Sequence, residues 1–363
     1  MIPGSAISLL LATPGPTLNP RGFMDVKLYT GNGSTQTISG LNFSPDLVWI
    51  KDRTSSPFHR LYDTIRGTTK ALYSNSTDTE GLYQGDYENF TAFNSDGFSL
   101  GSAAIDDGIN KNSSTFVAWC WDAGTSTVTN TAGSITSSVR ANASAGFSIV
   151  TYTGNGTDGA TVGHGLGVTP GMVIVKRRDV AQDWVVAHSG ITLSTQSLAL
   201  NLTTSATSFG DGWIDAWSST TFTTNQGASS IVNVNANTGT YVAYCWSPVA
   251  GYSSFGSYTG NGSATDGPFV YTGFRPRWVI IKASSAAGPH WMLIDSARSN
   301  YNQTFNQLYA NLANAELANN SALDLLSNGF KCRADTFGNI NGSGFTYIYA
   351  AFAEHPFSIS RAR

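Results

Sequence analysis

Three times along this chain a proline opens an unbroken apolar run that stops at a lysine: PDLVWIKDR from Pro45, PGMVIVKRR from Pro170 and PRWVIIKAS from Pro276. The runs Leu47–Ile50, Met172–Val175 and Trp278–Ile281 are β-branched and aromatic, and too short for helices. Their continuous apolarity predicts strands buried on both faces. Trp49, Ile50, Val173, Ile174, Val279 and Ile280 are therefore expected in the core. An aromatic strand follows each run: FVAWCW (Phe116–Trp121), YVAYCW (Tyr241–Trp246) and YIYAAF (Tyr347–Phe352). From the proline to Cys120, Cys245 or Ala351 the separation is 75 residues each time. Ahead of each run stands YTGNG, at Tyr29–Gly33, Tyr152–Gly156 and Tyr258–Gly262. Its Gly-Asn-Gly tolerates positive φ and predicts a hairpin-like corner.

Weaker landmarks fall in the same order. Trp184-Val-Val-Ala-His188 and Trp291-Met-Leu-Ile-Asp295 answer His59-Arg-Leu-Tyr-Asp63, and Ser327-Asn-Gly-Phe330 answers Asn94-Ser-Asp-Gly-Phe98. Landmarks that recur in one order with a constant internal spacing mean tandem structural units. The expected fold is all-β, with three tandem homologous antiparallel β-sandwich repeats, jelly-roll-like, at 25–124, 147–249 and 250–363, the last with a C-terminal tail. Residues 125–146 read as a linker. Residues 1–24 read as an extended arm, with prolines at 3, 14, 16 and 20. Within the arm the apolar Ile7, Leu9, Leu10 and Leu11 are candidates for docking onto a partner. A secretory leader fits less well, since no Lys or Arg precedes the apolar stretch. Two copies depart from the pattern: the third ends in AAF at Ala350–Phe352, and the second lacks the Asp-x-Ile-Arg-Gly of Asp63–Gly67. Thr304–Leu326, rich in Ala, Leu and Asn, predicts a short helix or a long decorated loop.

Composition narrows the chemistry. Only 12% of the 363 residues are charged, against roughly 25% in typical soluble domains. The net charge of -3 with no basic run argues against a nucleic-acid partner. No window holds the ~18 apolar residues of a membrane-spanning helix, so membrane insertion is not expected. Cys120, Cys245 and Cys332 show no CxxC or zinc spacing and read as free thiols in packed strands. Gly154-Asn-Gly156-Thr-Asp-Gly159 matches GxGxxG formally, but ATVGHGLG follows where a helix would have to start. The five histidines have no metal-ligand spacing, and no GxSxG elbow is present. No cofactor, metal or catalytic residue is expected. Carboxylate pairs for glycoside cleavage are conceivable in Asp106-Asp107, Asp211 and Asp215, or Asp63 with Glu80, but they differ between copies. The sharpest binding candidate is Gly210-Asp-Gly-Trp213-Ile-Asp-Ala-Trp217. In a strand Trp213 and Trp217 would share one face, and with Asp211 and Asp215 they are candidate glycan contacts.

With YTGNG, the Pro-x-x-Val-x-x-Lys strand, the NSDGF turn and the VAWCW strand in this order, the chain resembles a repeat family found in bacteriophage virion proteins. The resemblance covers most of the chain. It implies a non-enzymatic particle component, a tail or fibre protein contributing to host attachment, located in the virion. The alternative is a capsid decoration or cement protein, and a distant one a glycan-degrading virion enzyme. Expected partners are other virion proteins, further copies of the chain in a homo-oligomer such as a trimer, and a host-surface glycan.

Overall fold

The computed structural model describes residues 19–81, 89–102, 108–207, 213–225, 233–299, 301–304, 306–318, 323–333 and 338–356. The docking residues Ile7, Leu9, Leu10 and Leu11 lie outside the described residues, as do Asp211 and the Asp106-Asp107 pair. Short β-branched and aromatic runs broken by Gly, Asn and Pro yield strands throughout. In the first copy they are β1 (Met24–Thr30), β2 (Gln36–Ile38), β3 (Leu47–Asp52), β4 (Arg60–Asp63), β5 (Gly67–Leu72), β6 (Phe90–Asn94), β7 (Gly97–Leu100) and β8 (Thr115–Trp121). They form one sheet in the order β1-β8-β3-β4-β5 and a smaller one in the order β2-β7-β6, paired antiparallel.

The same order recurs twice. After β9 (Thr127–Asn130) and β10 (Ser137–Asn142) come β11 (Phe147–Thr153), β12 (Thr161–Gly163), β13 (Met172–Arg177), β14 (Val185–His188), β15 (Leu198–Ala199), β16 (Trp213–Trp217), β17 (Thr221–Asn225) and β18 (Thr240–Trp246). The third set is β19 (Ser253–Thr259), β20 (Phe269–Tyr271), β21 (Phe274–Ala283), β22 (Met292–Asp295), β23 (Leu308–Tyr309), β24 (Leu323–Leu326), β25 (Gly329–Cys332) and β26 (Thr346–Pro356). Their large sheets run β11-β18-β13-β14-β15 and β19-β26-β21-β22-β23, and their small sheets β12-β17-β16 and β20-β25-β24. The expected linker is itself β structure, because β9 and β10 extend the second large sheet beyond β11.

Alternation along each strand explains the unbroken apolar runs. In β3, Val48 and Ile50 face the small sheet and pack with Ile38, Phe90 and Phe98. Leu47 and Trp49 face the other way, into a core shared by all three copies with Trp119, Trp121, Ile174, Trp246, Ile280 and Phe352. Val173 and Val279 occupy the private cores of the second and third sandwiches. Thus each large sheet is a middle layer between its own small sheet and the other two units. At the centre the Trp121 ring lies edge-on to Trp246 at 6.0 Å, Trp278 at 5.3 Å and Phe352 at 5.9 Å. Trp121, Trp246 and Phe352 hold the same place in the three closing strands, so the units meet there as equivalents.

YTGNG is a corner rather than a hairpin, since the strands on either side of it belong to different sheets. Its tyrosine hydroxyl donates to a carbonyl in the loop before the closing strand: Tyr29 to Ile109 at 2.7 Å, Tyr152 to Val234 at 2.6 Å, Tyr258 to Ile340 at 2.8 Å. The asparagine N–H donates to a second asparagine, Asn110, Asn235 or Asn341. A Cβ on Gly31, Gly154 or Gly260 would lie 2.2, 2.2 or 2.3 Å from a backbone oxygen, so the first glycine is required by close approach. Thr304–Leu326 carries no helix among its described residues. Leu308 and Tyr309 pair with Leu293 and Met292, and Gln307 bridges Leu317, so strand pairing prevails over the Ala/Leu helix propensity.

Replacing Trp121 with Ala should cost about 3–5 kcal/mol, as for large buried aromatics. Because that ring touches all three units, calorimetry should show one unfolding transition for the whole chain, and the substitution should move it without splitting it. Three separate transitions would show that the shared core does not couple the units.

Candidate functional site

The polar residues common to the copies join one unit to the next. The Trp184 indole N–H donates to Tyr73 O at 2.9 Å, from unit two to unit one, and that of Trp291 to Ala199 O at 2.8 Å, from three to two. His59 closes the ring: Trp49 donates to its Nδ1 at 2.9 Å, leaving Nε2–H to donate to Tyr309 O at 3.1 Å, from one to three. Three joints of one sense thus complete a cycle inside a single chain, the heterologous contact of a cyclic trimer.

Ionic groups flank two of these joints. Between units one and two, Arg66 pairs with Asp63 and with Glu80, Glu80 with Arg178, and the Tyr244 hydroxyl donates to Asp63 at 2.8 Å. Between units three and one the same places hold Asp295, Arg298, Glu316 and Arg53, with the Trp119 indole donating to Asp295 at 3.0 Å. Burial alone would raise the Asp295 carboxyl, but Arg298 and the indole hold it below its ordinary value. Between units two and three the set is neutral. His188 replaces the aspartate and Ile191 the arginine, while Ala206 and Ser284 meet by backbone alone at 2.7 Å. Ala350 stands where the donors Tyr244 and Trp119 stand elsewhere. Gly190 N–H donates to His188 Nδ1, so His188 Nε2–H donates instead to Tyr349 O at 3.0 Å. Burial brings His188 down to about 4, which keeps it neutral. The two departures noticed in the sequence are two sides of this one joint.

The repeated lysines lie in the same layer. Lys176 donates to Thr77 O of unit one and Gln182 O, and Lys282 to Ala283 O, Pro289 O and Thr203 O of unit two. Lys51 serves carbonyls of its own unit, at Asp52 and Pro57. Burial pushes Lys51 and Lys282 down to about 8 and Lys176 to about 7.

The residues singled out from the sequence fare unequally. Asp63 and Glu80 do come together, but Arg66 sits between them in a buried joint closed to substrate. The three thiols are free and buried, and burial raises those of Cys120 and Cys245. Trp213 and Trp217 do not share a face. A bulge between Ile214 and Ala216 shifts the register, so Trp217 lies opposite the buried Phe222 while Trp213 lies opposite Asn225. Both rings are half-buried against the second core, and Trp213 donates to Leu193 O at 3.0 Å. Asp215, half-buried on the bulge, has its carboxyl raised by burial. What sequence reading passed over is β20. Val270 packs opposite Phe330 as Val162 does opposite Phe222 and Ile38 opposite Phe98. The flanking residues are Thr37 and Ser39 in unit one and Thr161 and Gly163 in unit two. In unit three they are Phe269 and Tyr271, 45% and 61% exposed on one strand face. The signal was present as FVY, aromatic where the sister strands are polar.

Among the described residues no group of three or more His, Cys, Asp and Glu gathers as a metal would need, and no helix is long and apolar enough to cross a membrane. Fold and joints define a single-chain ring of three antiparallel β-sandwiches with one aromatic outer strand. A family model described as Domain of unknown function (DUF7483) matches residues 19–356, and the chain belongs to that family. No curated protein and no solved structure matches it.

Two outcomes follow from the joints. His188→Asp restores the residue of the sister copies, yet it buries a carboxylate with neither an arginine nor an aromatic donor beside it. It should destabilise by about 3–5 kcal/mol in denaturant titration, with partial recovery when Ile191→Arg is added. The lysines give a pH dependence. From about 7 up to their ordinary 10.5 the unfolded chain binds more protons than the folded one, so stability rises with pH in that window. Lys176→Met should flatten the lower part of that rise in melting curves between pH 7 and 9.

Proposed function

We propose that the chain is a non-enzymatic structural protein of a bacteriophage virion, a tail or fibre component whose third unit faces the host surface. The observation that carries this reading is the pair Phe269 and Tyr271, exposed where the other two units present threonine, serine or glycine. Exposed aromatic rings on a rigid sheet are the side chains that dominate recognition surfaces. The closed ring supports the same reading. The tyrosines, glycines and lysines that recur in all copies make internal bonds, as suits a particle component whose first requirement is rigidity. Contacts to other virion proteins, and to further copies of the chain in an oligomer such as a trimer, belong to this proposal.

The test replaces the pair with the residues of unit one, Phe269→Thr with Tyr271→Ser, in the particle. Particles should assemble with the chain at the tail, seen by labelled antibody, and adsorb to host cells about ten-fold less or worse. Unchanged adsorption would remove the attachment role, and antibody on the head shell would move the chain to capsid decoration.

A further inference from the structure

Unit three also contains a cavity of about 400 Å³, lined by His290, Tyr309, Leu312, Asn314, Leu317 and Asn339. That volume lies within the range of small-molecule sites. None of these side chains is charged at neutral pH, since burial and the nearby Lys282 lower His290. The tautomer of one lining residue is fixed by a chain of bonds. Trp291 N–H donates to Asn311 Oδ1 at 3.0 Å, which turns the amide so that Nδ2 donates to His290 Nδ1 at 2.9 Å. The imidazole proton is then on Nε2, which has no hydrogen-bond partner among the described residues. His290 itself is held from behind, its N–H donating to Asn339 Oδ1 at 2.8 Å. The apolar wall is held too: Leu317 exchanges two backbone bonds of 3.0 Å with Gln307 while the residue stays 42% exposed. Tyr309 supplies a ring, tilted 50° to the imidazole with centroids 5.2 Å apart.

The sister units show that this arrangement is particular to unit three. Asn75 and Asn201 accept the same backbone N–H as Asn311 does, from His59 and Trp184. In unit one the place of His290 is taken by Phe58, packed edge-on to Tyr73, over which Arg60 lies at 4.7 Å. In unit two Asp183 takes the place of His290 and binds Asn201 at 2.7 Å, and Ala199 takes that of Tyr309. A plugged corner, a charged corner and an open neutral one therefore stand at equivalent positions.

We infer that this cavity binds a neutral sugar residue carrying an acetamido group. The acetamido carbonyl would accept from His290 Nε2–H, its methyl would lie against Leu312 and Leu317, and the ring hydroxyls would meet the Asn314 and Asn339 amides. An anionic sugar finds no cation in the lining, and a sugar without the methyl leaves the leucine wall unfilled. The choice of a cell-surface sugar rests on the host-facing reading. The cavity and its fixed donor do not.

The test uses the purified full chain and free N-acetylglucosamine, observed by saturation-transfer NMR and titration calorimetry. Binding on the order of millimolar is expected for a ligand of this size, with the strongest saturation at the acetamido methyl. Glucose should bind at least about ten-fold more weakly. His290→Phe, the residue of unit one, should abolish binding, and Leu317→Arg should do the same at an exposed position where folding is not at risk. No binding, saturation away from the methyl, equal binding of glucose, or binding that survives both substitutions would overturn the assignment. Because the measurement needs no particle, it can fail while the adsorption experiment succeeds, and the reverse.

Discussion

Everything in this molecule depends on the large sheets being buried on both faces. A free-standing antiparallel sandwich keeps one face of each sheet in water, and its strands alternate apolar with polar. Here Trp49, Trp119, Trp121, Ile174 and Ile280 would be that outer face, and they are apolar because the other two units cover them. No unit could leave the ring without exposing its tryptophans, so none can be treated as an independent domain on a string. The same constraint accounts for the few charges. A middle layer has no room for solvated side chains, and its carboxylates and arginines pair in the joints while its three lysines donate to backbone carbonyls.

A cyclic homotrimer must use one set of residues three times, whereas a single chain can vary each joint. The two ionic joints carry buried networks in which each member depends on the others, since an arginine without its carboxylate, or the reverse, is strongly unfavourable. The third joint differs at five places: His188, Ile191, Ala206, Ser284 and Ala350. Exchanging one alone would leave a buried group unmatched, and only the full exchange gives the set without ion pairs that the structure shows. The covalent connections help to make this tolerable, because neighbours held in one chain meet at high effective concentration and no joint has to sustain assembly by itself.

Much of this architecture was legible in the chain. The 75-residue spacing and the unbroken runs ending at Lys51, Lys176 and Lys282 implied three core strands buried on both faces, and all six residues named from them are inside. The joints were not legible, because Tyr244 and Asp63, or Trp119 and Asp295, are 181 and 176 residues apart in sequence. Only the packing of one unit against another brings them together. For the same reason the AAF ending and the missing Asp-x-Ile-Arg-Gly looked unrelated. The hairpin-like corner expected of YTGNG is a corner between two sheets, because a turn sequence sets the local φ but not which sheet receives the next strand. Trp213 and Trp217 were misplaced by a single bulged residue, which period-two counting cannot see.

Separating the shared from the unshared residues also bears on where recognition belongs. A side chain that recurs in three units with the same bond, such as Tyr29, Tyr152 and Tyr258, is constrained by folding and is not available to vary with a partner. A residue that differs among equivalent positions while leaving the joints intact has no such constraint. The outer strand at Phe269–Tyr271 and the corner at His290 are of this second kind, and both lie on unit three. Neither touches the central aromatic cluster, so either can change with a ligand at little cost to the ring. The ring fixes their positions, and the chemistry they present is set independently of it.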